Sequence, residues 1–199
     1  MAGTNSLKKR KIVVLGSRSV GKTSLILQFV ENHFIDAYYP TIEANHQKTV
    51  KYKGTEFQCE IVDTAGQDEY SIIQSKHVIG VHGFVLVYSV ASRNSFNMVQ
   101  NVYDKIIDFC GKQEIPCVIV GSKTDLLESS SPSRQVSSTE GAQLAKQNHA
   151  AWVETSAKSN NNISEVFELC IAEIEKGTSA YIKQEAPPPT PSKTSCCIM

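Results

Sequence analysis

The strongest constraint on the fold is a glycine-bounded segment, Gly-Ser-Arg-Ser-Val-Gly-Lys-Thr, at residues 16–23. It follows the apolar run at residues 12–15, which is typical of a strand buried on both faces. It leads into residues 23–30, whose apolar side chains have the spacing of a helix. This arrangement predicts a phosphate-binding loop, because the glycines let backbone N–H groups converge on phosphate oxygens and the helix N-terminus adds positive potential. The expected phosphate contacts are Ser17, Arg18, Ser19, Val20, Gly21, Lys22, Thr23 and Ser24. The alternative is a glycine-rich turn that binds no ligand.

Two elements carry the residue types needed for phosphoryl chemistry. In the first, Lys22 is expected to reach the outer phosphates as a catalytic residue, and the Thr23 hydroxyl to ligate Mg²⁺. The second, Asp-Thr-Ala-Gly-Gln at residues 63–67, follows the predicted strand 57–62. We expect Asp63 to hold Mg²⁺ through water, the Gly66 N–H to contact a γ-phosphate, and Gln67 to orient the attacking water as a further catalytic candidate.

The hydrophobic pattern predicts an α/β fold whose sheet is mostly parallel, because strand and helix signals alternate along the chain. Alternation at 50–53 and 57–62 around Gly54-Thr55 predicts one antiparallel hairpin. The further predicted strands are 84–90, 117–120 and 151–154, and the further helices are 96–110, 139–148 and 163–176. We expect a polar tail at residues 1–10, one domain at 11–176, and a flexible proline-rich stalk at 177–199.

Composition limits the classes of function. The 199 residues suit one domain with tails, and 41% are apolar, which is enough for a core. Twenty basic residues balance twenty acidic ones, so no nucleic-acid partner is expected. The apolar runs are too short to span a bilayer, the N-terminus lacks a secretory signal, and four cysteines lie inside apolar stretches. These features predict a soluble intracellular chain with reduced thiols at Cys59, Cys110, Cys117 and Cys170.

The motifs together resemble the Ras superfamily of small GTPases, over residues 11–176 and the last four residues. The resemblance implies a three-layer P-loop domain, the Ras-like G domain, with a six-stranded sheet. It also implies a monomer that hydrolyses GTP with Mg²⁺ and acts as a GTP/GDP switch. The family's effector switch is matched by Tyr38, Tyr39, Pro40, Thr41, Ile42 and Glu43. In that match Thr41 is a second protein ligand for Mg²⁺, binds the γ-phosphate and takes part in catalysis.

The resemblance also supplies a guanine and ribose site. Its residues are Phe34, which would stack on the base, Asp36, Ser122, Lys123, Asp125, Ser156, Ala157 and Lys158. Asp125 has a chemical reason to select guanine, since a carboxylate accepts from both N1–H and the 2-amino group, a donor pair that adenine lacks. A turn cap is the alternative role for Asp125. Ser122 replaces the family's asparagine, and because a hydroxyl is shorter, we expect weaker nucleotide binding and faster exchange.

Arg18 and the run Gln-Asp-Glu-Tyr-Ser-Ile at 67–72 resemble the Rheb subfamily. That resemblance implies slow intrinsic hydrolysis, a GTPase-activating protein, an exchange factor, and a downstream effector in the TOR kinase complex. Arg18 either modulates catalysis by obstructing an incoming arginine and displacing water, or is a solvated side chain; both interpretations stay open here. The resemblance to this subfamily also implies that Gln67 contributes little to catalysis. Whether Gln67 is catalytic in this chain therefore stays open.

The chain ends in Cys196-Cys197-Ile198-Met199, which matches a motif for farnesylation of Cys196. No basic cluster or further cysteine precedes it in the stalk, so one lipid would give weak, reversible attachment. We therefore expect residence on the cytoplasmic face of endomembranes together with a cytosolic pool. Two other classes of function remain open. One is a nucleotide-binding scaffold that hardly hydrolyses GTP. The other is a P-loop kinase or ATPase, which Asp125 and Ala157 argue against.

Overall fold

A six-stranded sheet forms the centre of the fold in the computed structural model, which describes residues 7–37, 39–68, 74–127 and 134–184, with side chains up to 177. Its strands are β1 Lys8–Gly16, β2 Glu43–Tyr52, β3 Thr55–Thr64, β4 Gly83–Ser89, β5 Cys117–Ser122 and β6 Ala151–Glu154. They lie in the order β2-β3-β1-β4-β5-β6. Only β2 and β3 pair antiparallel, while the other neighbours are parallel. The predicted fold class is confirmed.

Helices cover both faces of the sheet and make three layers. Their bounds are α1 Lys22–Glu31, α2 Arg93–Cys110, α3 Ser138–Gln147 and α4 Ile163–Gln184. Side chains of β1 alternate between the faces, so Ile12 packs with α1 and α4 and Val13 packs with α2 and α3. Both residues have no exposed surface, which is why the strand reads as continuously apolar. None of the helices in the described ranges is long and apolar enough to cross a membrane.

Two elements extend beyond their predicted limits. β1 begins at Lys8, inside the segment predicted as tail, and Lys8 lies opposite Phe57 of β3. Charged residues fit this strand because Lys8 and Arg10 each lie 5.5 Å from the Phe57 ring, and Arg10 forms a 2.6 Å ion pair with Glu175. At the other end, α4 continues past the predicted end at residue 176 to Gln184, because no proline interrupts this stretch. The lipidation candidate Cys196 lies outside the described residues.

The cysteines of the described chain behave as core residues. Cys59, Cys117 and Cys170 are buried free thiols, and Cys110 is half-buried. Burial raises the pKa of Cys59 to about 11 and also raises the pKa values of the other three thiols. These thiols are therefore protonated at neutral pH and suit packing rather than nucleophilic chemistry.

Candidate functional site

A cavity of about 720 Å³ opens at the carboxyl ends of β1, β3, β5 and β6. This edge of an open parallel sheet is where ligands of α/β proteins bind. Sixteen of its lining residues were predicted to contact the nucleotide or the metal. They are Arg18, Ser19, Val20, Gly21, Lys22, Thr23, Ser24, Phe34, Asp36, Thr41, Gly66, Ser122, Lys123, Asp125, Ala157 and Lys158. Tyr39 and Pro40 of the predicted effector switch line it as well.

The phosphate-binding loop departs from regular structure at its two glycines. Gly16 has φ +145°, and a Cβ there would lie 2.2 Å from the Val87 carbonyl oxygen, so β1 can lie against β4 only with glycine. Gly21 has φ +95° and is the N-cap of α1, and no side chain caps that end. The first N–H groups of α1 therefore line the cavity without an intrahelical partner, which is the arrangement that binds anions.

Lys22 is buried beneath this loop, with only 6% of its surface exposed. Its Nζ donates to the carbonyl oxygens of Gly16 at 3.0 Å and Ser17 at 2.9 Å. Burial lowers the pKa of Lys22 to about 8, and the nearby Asp63 carboxylate opposes that shift. The ammonium is thus held at the cavity with its remaining donor capacity available to an anion. Ser17 itself does not line the cavity.

Three oxygen atoms from separate segments meet beside Lys22. The Thr23 Oγ1 atom lies 2.7 Å from Thr41 Oγ1 and donates to Asp63 Oδ2 at 2.7 Å. Asp63 is 1% exposed, and its Oδ1 atom has no hydrogen-bond partner among the described residues. Burial raises the pKa of Asp63, while Thr23 and Lys22 act in the opposite direction. An unpaired buried carboxylate oxygen beside two hydroxyls fits a hard divalent cation such as Mg²⁺.

The predicted effector switch is strongly exposed around Thr41. Tyr39 is 73% exposed and Ile42 is 90% exposed, whereas Thr41 is half-buried against Thr23. Glu43 is the first residue of β2 and does not line the cavity, and neither does Ile42. Tyr38 lies outside the described residues. Large exposed apolar side chains on one segment are typical of a surface that binds a partner.

Gly66 lies against the phosphate-binding loop. A Cβ on Gly66 would be 2.5 Å from Arg18 Cα and 2.8 Å from Arg18 N, so only glycine permits this approach. The Arg18 side chain is 72% exposed and its guanidinium lies 3.6 Å from Asp68. The Gln67 side-chain amide donates to the Ala65 carbonyl at 3.0 Å, and Gln67 does not line the cavity. The predicted water-orienting residue therefore bonds to its own loop in this arrangement.

Ser122 joins the base side of the cavity to the phosphate-binding loop. Its Oγ is 2.6 Å from the Val20 carbonyl oxygen and 2.8 Å from the Tyr88 carbonyl oxygen. A hydroxyl has one hydrogen, so it donates to one of these carbonyls at a time and keeps no second donor for a ligand. The Ser122 hydroxyl therefore joins the end of β5 to the phosphate-binding loop. The next residue, Lys123, has φ +66°. A Cβ on Gly21 would lie 3.8 Å from the Lys123 Cε atom, so the Lys123 side chain runs along the phosphate-binding loop.

Asp125 is held in place by Ser156. The Ser156 Oγ donates to Asp125 Oδ1 at 2.6 Å and accepts from the Ser159 N–H at 3.1 Å. Ser156 is fully buried and does not line the cavity, so its part is to orient Asp125 rather than to contact a base. Ser156 bonds to Oδ1 alone, so the Asp125 Oδ2 atom can accept from a ligand.

Eight lining residues were missed by sequence reasoning: Leu25, Leu27, Ile35, Ala37, Thr64, Ala65, Leu126 and Thr155. Most are apolar or carry no motif signal, so their position is known only once the loops are folded. Thr155 directly precedes the predicted site residues Ser156, Ala157 and Lys158, and its Oγ1 is buried with no partner among the described residues. Those neighbours could have identified Thr155 as a residue near the site, but not its unpaired hydroxyl.

We call the three oxygen atoms of Thr23, Thr41 and Asp63 the oxygen triad. Together with the phosphate-binding loop and the Asp125 carboxylate, this triad defines a P-loop protein that binds a guanine nucleotide. The chain belongs to the Ras family, whose model matches residues 11–176. It is 51% identical over 193 residues to GTP-binding protein rhb1 of Schizosaccharomyces pombe, covering 97% of this chain and 98% of that protein. It is 43% identical over 192 residues to GTP-binding protein Rheb of Homo sapiens, covering 96% and 98%. The resemblance to the Rheb subfamily is confirmed, and the chain is a small GTPase that hydrolyses GTP.

Proposed function

We propose that the chain is a slow GTP/GDP switch in which the position of Thr41 reports the bound nucleotide. The observation that carries this proposal is the convergence of Thr23, Thr41 and Asp63 within 2.7 Å contacts. Thr23 lies on the phosphate-binding loop, whereas Thr41 lies on the exposed effector switch. A ligand that stabilises this convergence therefore also fixes the surface around Tyr39 and Ile42.

The residues of the site would divide the work of hydrolysis. Lys22, the amides of residues 17–24 and the Gly66 N–H would hold and orient the phosphate chain for in-line attack by water. Thr23, Thr41 and Asp63, the last through water, would hold Mg²⁺, which when bound supplies charge neutralisation at the phosphates. When the γ-phosphate leaves, Thr41 and Gly66 would lose a binding partner, and the described residues next to each of them would relax.

Two contacts support slow hydrolysis. The Gln67 amide bonds to Ala65 instead of pointing into the cavity, and the Arg18 guanidinium lies near Asp68 at the exposed mouth. Both side chains must move before either can act on an attacking water. The same contacts favour the second candidate function, a nucleotide-binding scaffold with negligible hydrolysis.

Single-turnover hydrolysis of bound GTP distinguishes the two candidates. We expect measurable phosphate release by the parent and its loss in Lys22→Ala, whereas a scaffold would release none in either protein. Arg18→Gly should change the rate if Arg18 modulates catalysis and leave it flat if Arg18 is only solvated. Gln67→Leu should have a smaller effect than Lys22→Ala, because its amide is directed away from the cavity.

Release of labelled GDP with and without EDTA tests the metal site. We expect EDTA to accelerate release from the parent and to have little further effect on Asp63→Ala, because that variant lacks the buried carboxylate. Asp104→Ala, which removes an exposed carboxylate from α2, is the matched control and should behave as the parent. Equal responses of Asp63→Ala and the parent to EDTA would contradict the assignment.

We further propose farnesylation of Cys196, reversible attachment to the cytoplasmic face of endomembranes, and action on the TOR kinase complex. The support is the terminal motif, the absence of a basic cluster in the stalk, and the similarity to Rheb-named proteins. A GTPase-activating protein and an exchange factor are the implied regulators. Comparing a tagged parent with Cys196→Ser tests the lipid: membrane fractions should lose the variant, and equal membrane retention of both would contradict it.

A further inference from the structure

Glu43 and His77 connect the two segments that flank the nucleotide cavity. Glu43 opens β2, two residues after Thr41, and His77 ends a short 3₁₀ turn at Ser75–His77. The His77 Nε2–H donates to Glu43 Oε2 at 3.0 Å, and Lys76 Nζ lies 2.6 Å from the same oxygen. One carboxylate oxygen therefore joins the end of the effector switch to the segment that follows residues 66–73.

The two contacts to Glu43 differ in what they can contribute. The Lys76 side chain is 55% exposed, so water and salt weaken its ion pair with Glu43. The His77 side chain is only 8% exposed, so water competes less for its Nε2–H than for the Lys76 ammonium. The hydrogen bond to His77 is therefore the contact that resists displacement of Glu43.

The backbone transmits this restraint toward Thr41. Glu43 lies opposite Thr64 in the β2–β3 register, so sheet pairing fixes its main chain while His77 fixes its side chain. Thr41 is two residues away and lies 2.7 Å from Thr23 across the cavity. Neither Glu43 nor His77 lines that cavity, so any effect on nucleotide binding must pass through the position of Thr41.

We propose that Glu43 and His77 form a positioning pair that holds the effector switch closed over the phosphates and so favours the GTP-bound form over the GDP-bound form. The inference rests on the proposed switch function, in which Thr41 contacts the ligand only when a γ-phosphate is present. Breaking the pair should then weaken binding of a GTP analogue while GDP affinity stays nearly constant. A purely structural role would weaken both or lower only thermal stability.

The test is the ratio of dissociation constants for GDP and a non-hydrolysable GTP analogue, measured with Mg²⁺ on the full chain. In His77→Phe, the ring volume is kept and the donor is lost, so we expect the analogue to bind roughly 2- to 12-fold more weakly, the range of one net hydrogen bond. GDP affinity should change by less than about twofold, as expected for an interaction made in one state only.

Two variants of the same cluster act as controls. Glu43→Gln retains an acceptor oxygen for the His77 donor and should recover most of the affinity that Glu43→Ala loses. Lys76→Ala removes only the exposed ion pair and should leave both affinities within about twofold of the parent. Glu43 is half-buried, so we expect its variants to fold. They can therefore test the pair even if His77→Phe does not fold.

Equal weakening of GDP and the analogue by Glu43→Ala, or no change in either affinity, would overturn the positioning role. These outcomes differ from a failure of the proposed function, which would appear as a folded parent that binds neither nucleotide. A parent that binds both nucleotides, with a ratio that Glu43→Ala does not alter, refutes the positioning pair alone.

Discussion

Ser122 is the position at which one substitution is expected to slow nucleotide exchange. Its single hydroxyl lies between the Val20 and Tyr88 carbonyl oxygens and is 6% exposed, so no donor remains for a bound base. In Ser122→Asn, the amide can bond to Val20 and still offer a second polar group to the nucleotide. One additional neutral hydrogen bond contributes about 0.5–1.5 kcal/mol, which corresponds to GDP dissociation about 2- to 12-fold slower.

Ser122→Ala should move the dissociation rate in the opposite direction. It removes the side-chain donor that Ser122 supplies to the Val20 and Tyr88 carbonyls, at a cost of about 1–3 kcal/mol shared between fold stability and loop position. The assay is displacement of fluorescent GDP by excess unlabelled GDP in Mg²⁺. Ser95→Ala, a buried serine on α2 that does not line the cavity, is the control: its unfolding temperature should fall while its GDP release stays at the parent rate.

The reasoning fails if Ser122→Asn keeps the parent unfolding temperature but releases GDP at the parent rate or faster. That result would mean either that an asparagine cannot reach the base from this end of β5, or that the serine already satisfies the contact. Faster release from Ser95→Ala would show instead that general destabilisation governs exchange.

Three further substitutions or treatments follow from the site and the core. Ser156→Ala should weaken GDP binding about 2- to 12-fold in a displacement titration, because Asp125 loses one orienting bond; unchanged affinity would contradict this. Gly66→Ala should suppress single-turnover GTP hydrolysis, because its Cβ cannot lie 2.5 Å from Arg18 Cα; a parent-like rate would refute that packing. Cys59, whose pKa burial raises to about 11, should resist iodoacetamide at pH 8 until the protein is denatured, as peptide mass spectrometry would show; rapid alkylation of the native protein would contradict its burial.

Local patterns explain why much of the fold could be predicted. The apolar run at 12–15 and the glycines of the phosphate-binding loop determine a strand, a turn and a helix within one short segment. The strand at 151–154 matches β6 to the residue, and α3 starts one residue before its predicted position because Ser137 and Glu140 form a capping box. Such signals depend on neighbours in sequence, so they can be read without the fold.

The contacts that complete the site depend on residues far apart in the chain. Ser122 bonds to Val20, and Glu43 bonds to His77. Motifs pick out Ser122 and Glu43, but nothing in the sequence indicates that Val20 and His77 are their partners. The role of Ser156 also changed, since sequence matching assigned it to the base whereas it is buried against Asp125. Long-range geometry decides which polar groups meet, and only the folded chain supplies it.

The position of β1 shows the same limit at an edge of the fold. Lys8 and Arg10 were assigned to the polar tail because they belong to a run of four basic residues at 8–11. Their partners, Phe57 and Glu175, lie on β3 and α4, and they allow charged residues to continue a strand. Polarity alone therefore does not mark the end of a strand when distant side chains accept the charge.

Calorimetric titration of the folded, nucleotide-free chain with GDP and with ADP, each with Mg²⁺, tests the central claim most directly. The arrangement of Lys22, the oxygen triad and Asp125 predicts a one-to-one binding heat with GDP and none at the same concentration of ADP. No heat with GDP would contradict the phosphate and metal assignments. Equal binding of ADP would contradict the selection of guanine by Asp125.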